Sequence, residues 1–337
     1  MKTYYITGIS GFLGRNIVKH LLTEKETKII GLVFPNESNL QDLEEQGITL
    51  VTGNISYLDN VEKFLSTPSE GEKIIIHAAG RISLYKRRDP LTTTINVQGT
   101  KNMVDIALKV GCDKFIYISS VDSLNKQKGN DIIVEQDRYD VDKVDGVYSK
   151  SKAAANNYVL DAYQNKGLPA IIILPTVFLG PDDPFNSPLN LAIKKYLNGK
   201  LNTLVKGQYN IGDVRNIAKG IVLASQKARL GESYILGGTQ ISVLDFINKV
   251  AALENQKPVK NLVPIFLIKL VSPFVEGHAK AHRKKPLFTG FSMDCLRQNS
   301  HYSSLKATTE LGYQIRSLDE TISDTVKWMK ESSYLDK

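Results

Sequence analysis

Cysteine is almost missing: Cys112 and Cys295 are the only two in 337 residues. Two thiols cannot make the disulfide framework of a small secreted domain. Each is read as a buried, inert side chain. A secretory leader is missing too. Met1 runs straight into Tyr4-Tyr5-Ile6, with no leader-like apolar region and no cleavage site, so a cytoplasmic protein is expected. No apolar run reaches the ~20 residues of a membrane span. The most apolar stretch, Leu262 to Val275, is broken by Pro264, Lys269 and Pro273. It is expected to form a helix that covers a core or a pocket, not a membrane anchor. Repeats and low-complexity tracts are lacking. The net charge of +8 lies partly in Lys280, Arg283, Lys284 and Lys285. No aromatic-interleaved basic stripe or DNA motif accompanies that cluster, which argues against a nucleic-acid partner. It reads as a solvated face, with an anionic ligand as the sharper alternative. No metal site is expected.

What is present is a hydrophobic fraction of 42%, enough for a core. The first half alternates strand-like and helix-like patterns. Strands are expected at Lys2–Thr7, Lys28–Phe34, Thr49–Gly53, Lys73–Ala78, Phe115–Ser119 and Ala170–Leu174. Helices are expected at Phe12–Leu22, Val61–Leu65, Asn96–Val110 and Tyr148–Asn165. Such alternation gives an α/β fold, a doubly wound parallel sheet of Rossmann type. The nearly continuous apolar strands fit burial on both faces. After Pro175 proline and glycine become frequent and the pattern loosens. Helical runs follow at about 188–198, 214–228 and 243–253, with a strand at Ser233–Leu236. Residues 1–175 are read as the nucleotide-binding domain. Residues 176–337 are read as a smaller C-terminal substrate-binding region, with about 211–238 returning to the sheet.

The first strand ends in Thr7-Gly8-Ile9-Ser10-Gly11-Phe12-Leu13-Gly14. Three glycines at three-residue spacing lie between a strand and a helix. The first permits a tight turn, the second lets backbone approach a pyrophosphate, and the third lets helix and strand pack closely. The N–H groups at the helix start then face the phosphates. This Gly-x-x-Gly-x-x-Gly spacing resembles the extended branch of the short-chain dehydrogenase/reductase superfamily. Further segments carry the likeness. They are Asn54-Ile55, where the family has an Asp-hydrophobic adenine contact, His77-Ala78-Ala79-Gly80, and Asn96-Val97-x-Gly99-Thr100. Leu174-Pro175-Thr176-Val177 and the following Gly180-Pro181 look like its Pro…Gly-Pro segment. Asp213 to Ala218, Tyr234 to Gly238, Pro286-Leu287-Phe288-Thr289 and Lys306 to Tyr313 also look familiar. His77 is read as a satisfied near-core histidine, not a catalytic one. Asn96 is read as ordering active-site backbone.

Tyr-x-x-x-Lys occurs four times: Tyr139/Lys143, Tyr148/Lys152, Tyr196/Lys200 and Tyr302/Lys306. Spacing alone therefore picks none. The resemblance puts a catalytic serine at Ser120, after Tyr117-Ile118-Ser119, and the catalytic pair at Tyr148 and Lys152. Positions four apart share one helix face, so both can point at the C-terminal edge of the sheet. The other pairs fail on context: an acidic loop broken by Gly146, an internal Gly199, and a position far downstream. Tyr148 would exchange a proton with a substrate oxygen. Lys152 and an oxidised nicotinamide would favour the phenolate, near neutral pH. Lys152 would also hold the nicotinamide ribose, and Ser120 would orient the same substrate oxygen. The resemblance further implies cofactor contacts at Gly8, Ser10, Gly11, Phe12, Leu13, Gly14, Arg15, Asn54, Ile55, Ala78, Ala79, Gly80, Asn96, Ser119, Pro175, Thr176 and Val177.

Nearly the whole chain resembles the dihydroflavonol-reductase-like group, which includes epimerase/dehydratase-like proteins. The expected function is NAD(P)-dependent carbonyl reduction, or the reverse oxidation, on a small molecule. A nucleotide-sugar epimerase or dehydratase is the runner-up. Dehydratases of the superfamily carry Thr-Asp-Glu where this chain has Ser120-Val121-Asp122, so one acid is lost and one carboxylate stays. A non-catalytic NAD(P)-binding protein is a third reading, and the intact Tyr148/Lys152 pair argues against it. The second strand ends in Leu32-Val33-Phe34-Pro35-Asn36. It has neither the acid expected for NAD nor the arginine expected for NADP. Arg15 could reach a 2′-phosphate, which favours NADP over NAD. Family members often pair through the helices placed here at Gln98–Val110 and Tyr148–Asn165, so a homodimer is expected.

Overall fold

A computed structural model describes residues 1–38, 40–126, 131–268, 270 and 289–335. Through the first half the chain makes β1 (Lys2–Thr7), β2 (Thr27–Val33), β3 (Thr49–Thr52), β4 (Glu72–His77), β5 (Lys114–Ile118) and β6 (Ala170–Pro175). It continues with β7 (Val177–Leu179), β8 (Thr203–Val205), β9 (Gln208–Asp213) and β10 (Ser233–Leu236). Seven of these form one parallel sheet in the order β10-β6-β5-β4-β1-β2-β3. The order reverses at β1 and β4, where the crevice of such sheets opens. Register aligns the strand ends: Thr7 lies between Leu32 and His77, and His77 faces Tyr117.

The helices between these strands are α1 (Phe12–Leu21), α2 (Gln41–Glu45), α3 (Leu58–Leu65), α4 (Pro90–Thr93), α5 (Gly99–Val110) and α6 (Val147–Lys166). After them come α7 (Pro188–Leu197) and α8 (Val214–Lys227). Alternation explains the unbroken apolar strands. Tyr4, Ile6, Ile74, Ile76, Ile116 and Ile118 point to the face covered by α1 and α8. Tyr5, Ile75, Phe115 and Tyr117 point to the face covered by α3, α5 and α6. A third core, with Leu179, Ile193, Phe246 and Val326, lies outside the large sheet. There β7, β9 and β11 (Thr239–Ser242) form a three-stranded sheet. Thus α8 packs on α1 and β10 extends the main sheet, while β9 between β8 and α8 belongs to the small one.

The apolar stretch from Leu262 departs from expectation. Its first residues form β12 (Asn261–Val263), which pairs with β8. Leu262, Phe266, Leu267 and Leu270 are exposed. Residues 265–268 are helical, and Val263, Ile265 and Ile268 are half-buried. Its remainder, the cluster Lys280, Arg283, Lys284 and Lys285, and Pro286-Leu287-Phe288 lie outside the described residues. Among the described residues no helix is long and apolar enough to cross a membrane, and no cluster of metal-ligating side chains occurs.

Candidate active site

The three glycines do three different things. Gly8 has a left-handed backbone, φ +70, and a Cβ there would stand 2.8 Å from the Ala79 nitrogen. Only glycine fits between this turn and the segment after β4. At Gly14 a Cβ would stand 2.1 Å from the Gly8 carbonyl oxygen, so helix and turn need a glycine to close. At Gly11 a Cβ would meet only the Gly8 oxygen, at 3.2 Å. That side is open. Gly11 is the N-cap of α1 and offers no side-chain acceptor to the first-turn N–H groups. A helix start left open in this way suits an anion.

The segment after β4 is fastened to β1. The Ala78 amide donates to the Thr7 carbonyl at 3.2 Å, and the Ala79 amide to Thr7 Oγ1 at 3.1 Å. Thr7 Oγ1 lies 2.7 Å from His77 Nδ1. On the other side His77 Nε2 lies 3.1 Å from Thr100 Oγ1, which itself donates to the Asn96 carbonyl at 2.7 Å. The proton directions are then fixed. Thr100 gives its proton to Asn96, so Nε2–H donates to Thr100; burial keeps the ring neutral, and Nδ1 then accepts from Thr7. Burial first, and Lys152 second, push its pKa down to about 3. His77 is thus a satisfied interior histidine that ties β1, β4 and α5 together.

Between α4 and α5 the helix widens into a π-turn at Thr94–Gln98. Such turns re-aim side chains near functional sites. Here the buried residue is Asn96. Its Oδ1 accepts from the Arg81 amide at 2.8 Å, and its Nδ2 donates to the Arg81 carbonyl at 2.9 Å. Nδ2 also donates to Ser151 Oγ at 2.9 Å, and Ser151 donates to the Tyr148 carbonyl at 2.7 Å. The backbone beside Gly80 is thereby fixed to the first turn of α6.

Ser120 lies two residues beyond β5 and caps a short 3-10 turn, Val121–Ser123, by accepting from the Asp122 amide at 3.1 Å. Its own proton is left to donate. The turn is held to α6 by Asn156 Nδ2, which donates to Ser123 Oγ at 2.9 Å. The Ser120 hydroxyl lies next to that of Tyr148. Lys152 is buried and donates to the Ile118 carbonyl at 2.8 Å, 4.8 Å from the centre of the Tyr117 ring. A Cβ at Gly80 would lie 3.3 Å from Lys152 Nζ and 3.5 Å from Asn96 Oδ1. The missing side chain leaves room beside the ammonium. Ser119 adds a buried hydroxyl with no partner among the described residues.

Electrostatics correct one expectation. Tyr148 is half-buried as a residue, but its hydroxyl is desolvated. Burial and then the Asp122 carboxylate raise its pKa, and the Ser120 hydroxyl only partly opposes them. Lys152 does not lower it. Burial instead brings Lys152 itself down to about 7, where its Nζ donates to the Ile118 carbonyl. Without bound ligand, Tyr148 is a protonated phenol at neutral pH.

Other expected contacts vary. Phe178 of β7 packs on Phe12, ring centres 5.7 Å apart. The Thr176 amide donates to the Leu236 carbonyl at 3.1 Å. Together these place Pro175, Thr176 and Val177 beside the start of α1, where Leu13 is buried. Asn54 Oδ1 accepts from the Ser56 amide at 2.9 Å, leaving one lone pair for an adenine amine. Ile55 is buried against Gly99. Arg15 pairs with Asp42 and donates from Nε to the Ser10 carbonyl at 2.9 Å.

Among the competing tyrosines, Tyr139 is core, and Tyr196 is buried with its hydroxyl donating to the Lys257 carbonyl at 3.0 Å. Tyr302 differs from expectation. It lies next to Lys126, and Lys126 Nζ lies 2.9 Å from Asp122 Oδ1 and 3.0 Å from Gln298 Oε1. Lys126, Gln298 and Tyr302 thus border the Ser120 turn, which sequence reasoning missed. The Ile133–Tyr302 bridge brings the distant segment there, and no local pattern announces it. Cys112 and Cys295 are free and half-buried, their thiols pushed up to about 12 and about 11, mainly by burial.

Comparison with known proteins identifies the family. The model of the NAD dependent epimerase/dehydratase family matches residues 4–237. A Synechocystis sp. protein provisionally named dihydroflavonol 4-reductase is 29% identical, covering 98% of this chain and 96% of its own. The sterol-4-alpha-carboxylate 3-dehydrogenase (decarboxylating) of Schizosaccharomyces pombe is 27% identical, covering 95% of each chain. The 2-alkyl-3-oxoalkanoate reductase of Shewanella oneidensis is 26% identical, covering 92% of this chain and 81% of its own. The crystal structure of gox2253 superposes with a TM-score of 0.82 at 30% identity, covering 98% of each chain. The chain belongs to the NAD-dependent epimerase/dehydratase family of extended short-chain dehydrogenases/reductases, and it is an NAD(P)-dependent oxidoreductase of that type.

Proposed function

We propose that the chain reduces a ketone of a small molecule to a secondary alcohol, with Tyr148 as proton donor. The observation that carries this reading is the convergence of Ser120, Tyr148 and Lys152 on the strand edge beside Gly80 and the open Gly11 turn. The first-turn amides of α1 would hold the pyrophosphate, and Lys152 the ribose next to Gly80. A bound reduced nicotinamide supplies hydride to the carbonyl carbon. Ser120 donates a hydrogen bond to the carbonyl oxygen and orients it. Tyr148, protonated at neutral pH, transfers its proton to the same oxygen as charge develops there. Lys152 offsets the phenolate left behind. The reverse oxidation uses the same groups with Tyr148 as base.

Dehydration fits less well. Val121 carries no acid, and the Asp122 carboxylate is neutralised by Lys126. Two relatives are named for substrates with a carboxylate on the carbon beside the reacting one, a 3-oxoalkanoate and a sterol 4-carboxylate. Substrates of that kind belong first in a carbonyl panel. We also propose a homodimer through the outer faces of α5 and α6, tested by sedimentation. The test of function is nicotinamide absorbance with 3-oxo acids and simple ketones. Turnover of at least one ketone is expected. Tight cofactor binding without oxidation by any carbonyl compound would favour a non-catalytic binding protein.

A further inference from the structure

The strand end that lacks an acid in sequence acquires one in space. Beyond β2, Asn36 adopts the left-handed region, φ 63, and the Glu37 amide donates to the Phe34 carbonyl at 3.2 Å. The chain reverses there and turns Glu37 back toward the glycine turn. One carboxylate oxygen accepts from the Phe34 amide at 3.0 Å. The other accepts from Ser10 Oγ. Glu37 is partly buried, so its charge is poorly screened.

Arg15 does not cancel this charge. Its guanidinium pairs with Asp42, and its Nε is bound to the Ser10 carbonyl. Glu37 and Asp42 against Arg15 leave this corner negative. A hydroxyl can donate to the Glu37 carboxylate. A phosphate offers no such donor and adds like charge, which carboxylates resist.

We propose that Glu37 makes the chain NAD(H)-selective, by accepting from the adenosine 2′-hydroxyl and repelling a 2′-phosphate. The inference deepens, and rests on, the reading of the Gly8–Gly14 turn as a dinucleotide cradle. It reverses the preference expected from Arg15 alone.

Calorimetric titration of NADH and NADPH into the cofactor-free protein tests it without turnover. Wild type should bind NADH at least about tenfold more tightly. Glu37→Gln should narrow that gap about ten- to hundredfold, with much of the change from stronger NADPH binding. Arg15→Ala should affect both cofactors alike. Equal or tighter NADPH binding by wild type, or an unchanged gap in folded Glu37→Gln, overturns the inference and leaves the cradle standing. Binding of neither cofactor to folded wild type overturns the cradle, and this inference with it.

Discussion

Replacing Gly11 and Gly14 one at a time separates ligand space from folding space. At Gly14 a new Cβ would lie 2.1 Å from the Gly8 carbonyl oxygen and 2.7 Å from that of Ile9. Both are backbone atoms, so the turn itself must move. Overpacking of this kind costs typically 1–3 kcal/mol, and backbone obstruction puts Gly14→Ala near the top, about 3 kcal/mol. In a chain this large that lowers Tm by about 4 °C. At Gly11 the new Cβ meets one oxygen at 3.2 Å, and φ −69, ψ 167 suits any residue. Gly11→Ala should therefore unfold within about 1 kcal/mol of wild type. It should nevertheless lose cofactor affinity, because its methyl group fills the side from which the pyrophosphate reaches the α1 amides. Losing one charge-assisted hydrogen bond there, worth about 1.5–3 kcal/mol, weakens binding roughly ten- to hundredfold. Thermal unfolding and calorimetric titration measure the two effects separately. A folded Gly11→Ala that binds NADH as wild type does would refute the placement of the phosphates.

Two further outcomes follow from the hydrogen-bond chains. His77 titrates near 6.5 when unfolded and about 3 when folded, so its stabilisation is complete above pH 6.5 and lost as pH falls toward 3. The loss is roughly 1.4 kcal/mol per pH unit, about 2 kcal/mol by pH 5. In His77→Gln the fall in unfolding free energy between pH 7 and 5 should shrink by that amount, and an unchanged fall would contradict a neutral buried imidazole. Ser151→Ala cuts the link from Asn96 to the Tyr148 carbonyl. It should cost about 1–2 kcal/mol of stability and lower kcat with little change in cofactor Kd, whereas wild-type kcat would show that α6 needs no such tie.

The sheet and its helices were legible because buried parallel strands leave short apolar runs between helical repeats. Lys2–Thr7 and Ala170–Leu174 fall on β1 and β6 almost residue for residue. The glycine turn was legible because backbone geometry dictates residue type there. Choosing among four Tyr-x-x-x-Lys matches needed the family likeness, since spacing is local and the site is not. Long-range placements stayed hidden. Glu37 reaches Ser10 through a reversal at Asn36, and Tyr302 reaches Lys126 across most of the chain. The burial that raises the Tyr148 phenol in the ligand-free chain, and the Lys152 bond to the Ile118 carbonyl, stayed hidden for a related reason: sequence shows which charges are near in the chain, but not how deeply each is buried.

The central claim is that Tyr148 moves the proton. Tyr148→Phe keeps the ring and removes one hydroxyl, so fold and cofactor affinity should persist. The most direct measurement is the single-turnover rate of hydride transfer from preloaded NADH or NADPH to one accepted ketone, followed by nicotinamide absorbance. The rate should fall by about 10²–10⁴-fold, while the cofactor Kd stays within a few-fold of wild type. A wild-type rate, with a hydride isotope effect showing that chemistry is being observed, would contradict the assignment.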